Sequence, residues 1–339
     1  MRKTILYLVV LGVLGFGVYF FLFKNHDAFS INEAGFNIKD TGNIGKIFMV
    51  NKRGDAITLT RTEHGWKVND HVAITRAINN LLLTMSKQQV MYPVPQNMHN
   101  SAITTLATNG IKVELYGRGG TKLKVFHVGG QVKDSKGSFM LMEGASRPYV
   151  VQVPAFEGYL SPRYNVDMSN WRDRTVVALP KENVRKVKVN YLQEPLNSFS
   201  VLQDEQGNRT VAIDEALTSG KEMNKRRTDV FLGFFSNVKH EGYLNGTTDL
   251  DSIIASVPKR CEIEIEGVNN YTQHIDVYWM PINKRSKNRL VPSLQGAVSF
   301  DGDRFYGVIN NGVDTVILQN ATFEKIFRLG YEFYEKDES

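Results

Sequence analysis

The sequence predicts an α+β protein held at a membrane: an N-terminal transmembrane helix followed by two similar units of mainly antiparallel sheet with helices packed on it. Three observations predict it. The run from Ile5 to Phe23 carries no charged side chain. From Asp40 onward, apolar residues alternate with polar ones in short runs separated by turn residues, the pattern of half-buried strands. The order of those runs, interrupted each time by a helical period, occurs twice.

After Arg2 and Lys3, Ile5 to Phe23 holds only aliphatic, aromatic and glycine residues. As a helix it would be about 28 Å long, enough to cross a hydrocarbon core of roughly 30 Å. A cleaved signal peptide is the competing reading, but the run exceeds the usual apolar region and no small-x-small cleavage site follows Phe23. A lipoprotein signal is excluded because the single cysteine is Cys261. Arg2 and Lys3 outweigh Lys24, which Asp27 soon follows, so the positive-inside bias leaves the N-terminus in the cytoplasm and exports the rest. Gly12, Gly15 and Gly17 lack the four-residue step of a helix dimer motif.

The division expected is an anchor over 1–24, a linker over 25–39, a first α+β unit over 40–160, a joint over 161–180, a second unit over 181–330 and a polar tail over 331–339. About 315 residues follow the anchor, ample for two cores. Hydrophobic residues at 42% and charged ones at 22% are ordinary globular values, which exclude disorder and a second membrane pass. One cysteine excludes an intramolecular disulfide, and Cys261 reads as a small buried hydrophobe. A net charge of +6 is too diffuse to predict nucleic-acid binding.

In the first unit, Ile47 to Val50 and the alternating Ile57 and Leu59 flank a turn at Asn51 to Asp55, and Trp66 to Val68 adds a third strand. Ile74, Ala77, Ile78, Leu81, Leu82 and Met85 then recur at three and four, with Asp70 placed to cap that helix. A second helix runs from about Met98 to Thr108 and stops at Asn109-Gly110, a left-handed cap pair. Strands resume around Ile111 to Leu115, Leu123 to His127, Phe139 to Met142 and Tyr149 to Val153. The second unit repeats the order with Val187 to Tyr191, Phe199 to Val201, Thr210 to Ile213, a helix from about Glu222 to Lys239, a short helix at Leu250 to Ala255, and strands at Cys261 to Ile265, Ile275 to Trp279, Phe305 to Ile309 and Thr315 to Leu318. The exit peptides echo each other, Ala155 to Leu160 against Ala321 to Phe327.

Catalytic signatures fail on spacing. The seven histidines include no i,i+4 pair with an accompanying Glu, and there is no G-x-S-x-G elbow. Gly119-Gly120-Thr121-Lys122 lacks the phosphate-loop spacing and reads as a hairpin turn; Asp301-Gly302-Asp303 lacks the other oxygen ligands of a calcium site and reads as a turn. No catalytic residue, cofactor or metal ligand is predicted. The candidates that remain are contact residues. Arg163, Tyr164, Trp171, Arg172 and Arg174 gather in the joint, either as a groove-lining cluster or, the reading preferred, with Trp171 packed under the second sheet and Asp173 neutralising its arginine neighbours. Lys284, Arg285, Lys287 and Arg289 occupy a loop suited to lipid headgroups or an acidic partner. Lys225-Arg226-Arg227 reads as a solvated helix face.

Asp40-Thr41 with Ile44 and Lys46 to Phe48, Gly65 to Asn69, Asn79 to Leu82, Asn109 to Glu114, Leu141 to Gly144, Gly158 to Tyr164 and Trp171 to Arg174 together resemble a bacterial membrane-anchored family built on domain of unknown function 4340. The likeness covers most of the first unit and the joint and thins over Lys221 to Arg289. It implies an envelope accessory role, in some cases beside ABC-type transporter subunits of the gliding-motility kind, and offers no catalytic residues. The expected function is therefore a non-catalytic periplasmic binding or scaffolding subunit of an inner-membrane complex, with other envelope proteins as partners. The alternatives are an exported enzyme on glycans or another envelope polymer, whose carboxylates only the fold would bring together, and a lipid-binding carrier with an apolar cavity between helices and sheet.

Overall fold

The computed structural model describes residue 12 and residues 31–132, 137–218, 221–290 and 299–334. The expected span from Ile5 to Phe23 therefore lies outside the described residues except for Gly12, as do residues 335–339 of the polar tail. No helix among the described residues is long and apolar enough to cross a membrane. The chain divides between Asp173 and Arg174 into two compact units, each built on a large antiparallel sheet with a few helices.

The first unit runs β1 (Ile44–Val50), β2 (Ala56–Thr62), β3 (Gly65–Val68), β4 (His71–Val72), α1 (Thr75–Lys87), β5 (Gln89–Pro93), α2 (Gln96–Asn109), β6 (Ile111–Gly117), β7 (Lys122–Gln131), β8 (Ser138–Met142) and β9 (Tyr149–Gln152). Its sheet order is β4-β3-β2-β1-β6-β7-β8-β9-β5. The period-two residues bury one face: Ile47, Met49, Leu59, Val113 and Leu115 are all at 0% exposure, and Ile78, Leu81 and Met85 of α1 join their core. At β8 and β9 burial becomes continuous, because both faces are covered. Met140 and Val151 belong to the core that α1 closes, whereas Phe139 and Val150 pack with Ala102 and Leu106 of α2.

Two expectations for this unit need correction. Asp70 does not cap α1, since Asn69 takes a left-handed turn at φ 49° and His71 and Val72 pair back onto β3, so the helix starts only at Thr75 behind Ile74, without a side-chain cap. Gly110 is no left-handed cap either, with φ −70°. It is glycine because a Cβ there would meet the Leu106 carbonyl oxygen at 2.1 Å. An unexpected strand, β5, separates the helices and pairs with β9.

The second unit runs β10 (Thr175–Val177), β11 (Val184–Tyr191), β12 (Phe199–Gln203), β13 (Arg209–Ala212), α3 (Lys225–Gly233), β14 (Val238–Lys239), β15 (Gly242–Tyr243), α4 (Leu250–Ser256), β16 (Lys259–Gly267), β17 (Thr272–Pro281), β18 (Arg289–Leu290), β19 (Phe300–Ile309), β20 (Asp314–Gln319) and α5 (Asn320–Phe323). Its sheet order is β13-β12-β11-β16-β17-β19-β20-β15, with β18 on β19. Strand for strand this is the order of the first sheet from β3 to β5, including a late-joining edge strand that precedes the central one in sequence. The helix expected to reach Lys239 stops at Gly233, followed by a 3₁₀ turn over Phe234–Ser236, and β14 then pairs with β10. The helix begins at Lys225 rather than near Glu222, and Asn224 caps it by accepting from the Arg227 amide at 3.1 Å. The exit peptides differ in burial: Phe156 is 37% exposed and Phe323 fully buried.

Candidate functional site

Of the joint residues, Arg163 and Trp171 share the lining of one small pocket with Asn80 and Leu81 of α1, and the others are placed elsewhere. Tyr164 is wholly buried in the first unit, where its hydroxyl donates to Gln88 Oε1 at 2.5 Å and its ring meets Phe126 edge-on. Trp171 packs into the core of the first unit, not under the second sheet, and its Nε1 donates to the Asn165 carbonyl at 2.8 Å. The reason is the backbone: Ile74 N–H donates to Trp171 O at 2.6 Å, Arg172 bridges Ala73, and Asp173 N–H reaches Val72 O, so this segment is stitched to the chain entering α1. Arg172 is accordingly buried, at 9% exposure. Arg163 is half-buried with its guanidinium 5.2 Å from the Phe156 ring, and Arg174, in the second unit, donates to the Glu241 carbonyl at 2.7 Å.

The basic loop is placed differently. Lys284, Arg285, Lys287 and Arg289 are all exposed, and none forms an ion pair among the described residues. The loop is nevertheless fixed. Ser286 donates through its hydroxyl to Asp301 Oδ2 at 2.5 Å, Asn288 Nδ2 to Asp303 Oδ1 at 2.6 Å, and the fully buried Asp301 accepts the backbone N–H groups of Asp303 and Arg304 at 2.8 and 3.1 Å. Asp301-Gly302-Asp303 is therefore no turn; it lies within β19, with Asp301 turned inward as the anchor of the loop beside it. Among the described residues no group of three or more His, Cys, Asp or Glu side chains could hold a metal ion.

A cleft that sequence reasoning missed lies on the second unit. It has a volume of about 490 Å³ and lies between α3 and the segment after α5. Arg226, Val230 and Phe234 fall at i, i+4 and i+8 and so stack along one stripe of the helix and into the 3₁₀ turn that follows. Phe231 forms its floor with Phe333, their rings 5.2 Å apart, while Val230 is 51% exposed. Arg227 Nη1 donates to the Glu332 carbonyl at 3.0 Å, and Arg328 Nη1 lies 3.4 Å from Glu332 Oε2. Arg226, Arg227, Arg328 and Glu332 thus share the lining. Lys325 Nζ sits 5.6 Å from the Phe234 ring and adds to the positive rim. Lys225 and Arg226 are exposed, as a solvated face requires, while Arg226 and the half-buried Arg227 also line the cleft. The mixed stripe of arginine and apolar residues at fours was the available signal; the contribution of Arg328 comes from the fold alone.

Family models, curated proteins and solved structures contain no match to this chain.

Proposed function

We propose that the protein is a non-catalytic binding or scaffolding subunit of a bacterial cell-envelope complex. In this reading Ile5 to Phe23 tether it to the inner membrane, the N-terminus is cytoplasmic, and both units work in the periplasm as a duplicated pair. An ABC-type transporter is the class of complex that the family resemblance brings forward. The observation that supports it is the loop at Lys284, Arg285, Lys287 and Arg289: four exposed cations within six residues, none in an ion pair among the described residues, on a loop held by the buried Asp301. Such a loop offers a charged surface with little ordering entropy left to lose, which favours docking on an acidic face of a partner. Affinity purification of the full chain from gently solubilised membranes tests it. The expected result is copurification of defined membrane proteins, reduced when the four basic residues are replaced by alanine; a protein that is solitary at low salt overturns the reading.

A further inference from the structure

We infer that a lysine-lined groove of the first unit, between the segment that enters β1 and the start of β7, docks on anionic lipid headgroups of the leaflet beside which the chain is tethered. The inference rests on the tether of the proposed function and uses none of the basic loop.

Chain length brings the groove to the membrane. Gly35, which lines it, follows Phe23 by 12 residues, a length that spans at most about 43 Å. Lys39, Lys122, Leu123 and Lys124 share the lining of this groove of about 620 Å³. The Lys124 ammonium donates to the Gly35 carbonyl and to that of Asn37, the second at 3.1 Å, and so ties β7 to the segment leading back toward the anchor. Its acceptors are neutral, and burial lowers its pKa, so an anion brought to it restores the charged form. Lys39 and Lys122 are exposed, and none of the three lysines forms an ion pair among the described residues. Glu143 also lines the groove, but Lys112 Nζ lies 3.4 Å from it.

Leu123 decides between occupants. It is 38% exposed between two of the lysines, and a small soluble anion would leave it uncovered. A lipid surface satisfies both chemistries, since headgroup phosphates meet the ammonium groups while the leucine and the lysine stems rest against the acyl boundary. A tether this short also holds groove and leaflet together at an effective concentration on the order of millimolar, an advantage that a soluble acidic partner lacks.

The test uses the full chain carrying Leu123→Cys, labelled there with nitrobenzoxadiazole while the native Cys261 stays buried and unreactive. It is reconstituted in nanodiscs of phosphatidylcholine alone or mixed in equal parts with phosphatidylglycerol. In the anionic discs the label should shift to the blue and be quenched by lipids bearing a nitroxide near the headgroup; in the zwitterionic discs it should do neither. Raised salt should reverse the shift. Lys39→Gln with Lys122→Gln, both on exposed positions, should lower the ratio of docked to undocked chain about tenfold or more, while alanine replacement of the basic loop should leave it as it was. A chain that does not stay with the discs overturns the tether and this inference together. A chain that stays but gives no shift, the same shift in both lipids, a shift indifferent to the paired lysine variant, or one that inorganic phosphate reproduces in zwitterionic discs overturns this inference alone.

Discussion

Tyr164 and Gln88, 76 residues apart in sequence, share a buried hydrogen bond, and Gln88 Nε2 passes the connection on to the Phe36 carbonyl at 2.6 Å. Three distant segments of the first unit are thereby tied at one point, with both side chains at 0% exposure. Tyr164→Phe leaves Gln88 Oε1 without its donor and should lower stability by about 1–3 kcal/mol, the cost of an unsatisfied buried acceptor. The urea midpoint should fall with an unchanged slope; an unchanged midpoint would show that the bond contributes nothing net.

Cys261 gives a pH dependence of defined sign. Burial pushes its thiol from the ordinary 9.0 up to about 12. The folded state thus keeps the proton after the unfolded chain has released it, so stability is complete below pH 9 and is lost as pH rises toward 12. Between pH 8 and 10 the thiol alone should remove on the order of 1 kcal/mol. Cys261→Ala starts lower at pH 8 because of the cavity, yet its loss between those two pH values should be smaller by that amount. Urea unfolding of both proteins at pH 8 and pH 10 reads the difference directly.

Gly110 and Gly119 make an informative pair. A Cβ at Gly110 collides with the Leu106 carbonyl oxygen, and the backbone of α2 must move to admit it, whereas Gly119 has nothing within 4 Å and no positive φ. Gly110→Ala should destabilise by about 3 kcal/mol through overpacking against backbone. Gly119→Ala should stay within about 0.5 kcal/mol of the parent. Thermal melts of the two variants check the contrast.

Period-two burial was legible in the sequence wherever a sheet has one covered face, as at Ile47-Met49 and Ile263-Ile265, and so was the recurrence of element order. What was hidden was hidden for physical reasons. Gln89–Pro93 forms an edge strand only because β9 supplies its hydrogen-bond partners 60 residues later, and its own composition shows no alternation. The sequence places Trp171 under the wrong sheet, and Tyr164 in a contact cluster, because nothing local reveals that Val72 and Ile74 would bind that backbone. The cleft depends on Arg328 and Phe333 meeting a helix more than 90 residues upstream. The basic loop, whose residues need only solvent, was found from the sequence alone.

Arg260 occupies a different kind of environment. Its guanidinium carbon lies 4.1 Å from the Phe327 ring and 4.8 Å from those of both Trp279 and Phe305, and it makes no ion pair among the described residues. Burial lowers its pKa, as expected for a cation with aromatic faces in place of water. Each such contact contributes roughly 0.5–1 kcal/mol, so Arg260→Met, which keeps the apolar stem, should cost about 1–3 kcal/mol. Arg260→Lys should cost at least as much, because a compact, strongly hydrated ammonium cannot stack on several rings. A lysine variant as stable as the parent in thermal melts would show that charge alone, without the planar stack, suffices.

Asp301 is the residue on which the placement of the basic loop turns. Its carboxylate accepts from Ser286 Oγ and from two backbone N–H groups at 0% exposure, so Asp301→Ala both releases the loop and leaves buried donors without an acceptor. A global loss of about 3 kcal/mol is expected. The local effect is separable from it by limited trypsin digestion under native conditions, since Lys284, Arg285 and Lys287 are cleavage sites on the exposed loop itself. Proteolysis of a native protein follows the population of the locally open form, and each 1.4 kcal/mol of lost restraint raises that population about tenfold. Cleavage in the loop should therefore accelerate about tenfold or more in the variant and precede cleavage elsewhere. Simultaneous acceleration at all sites would mean that Asp301 supports the sheet as a whole and that the four cations owe their arrangement to other contacts.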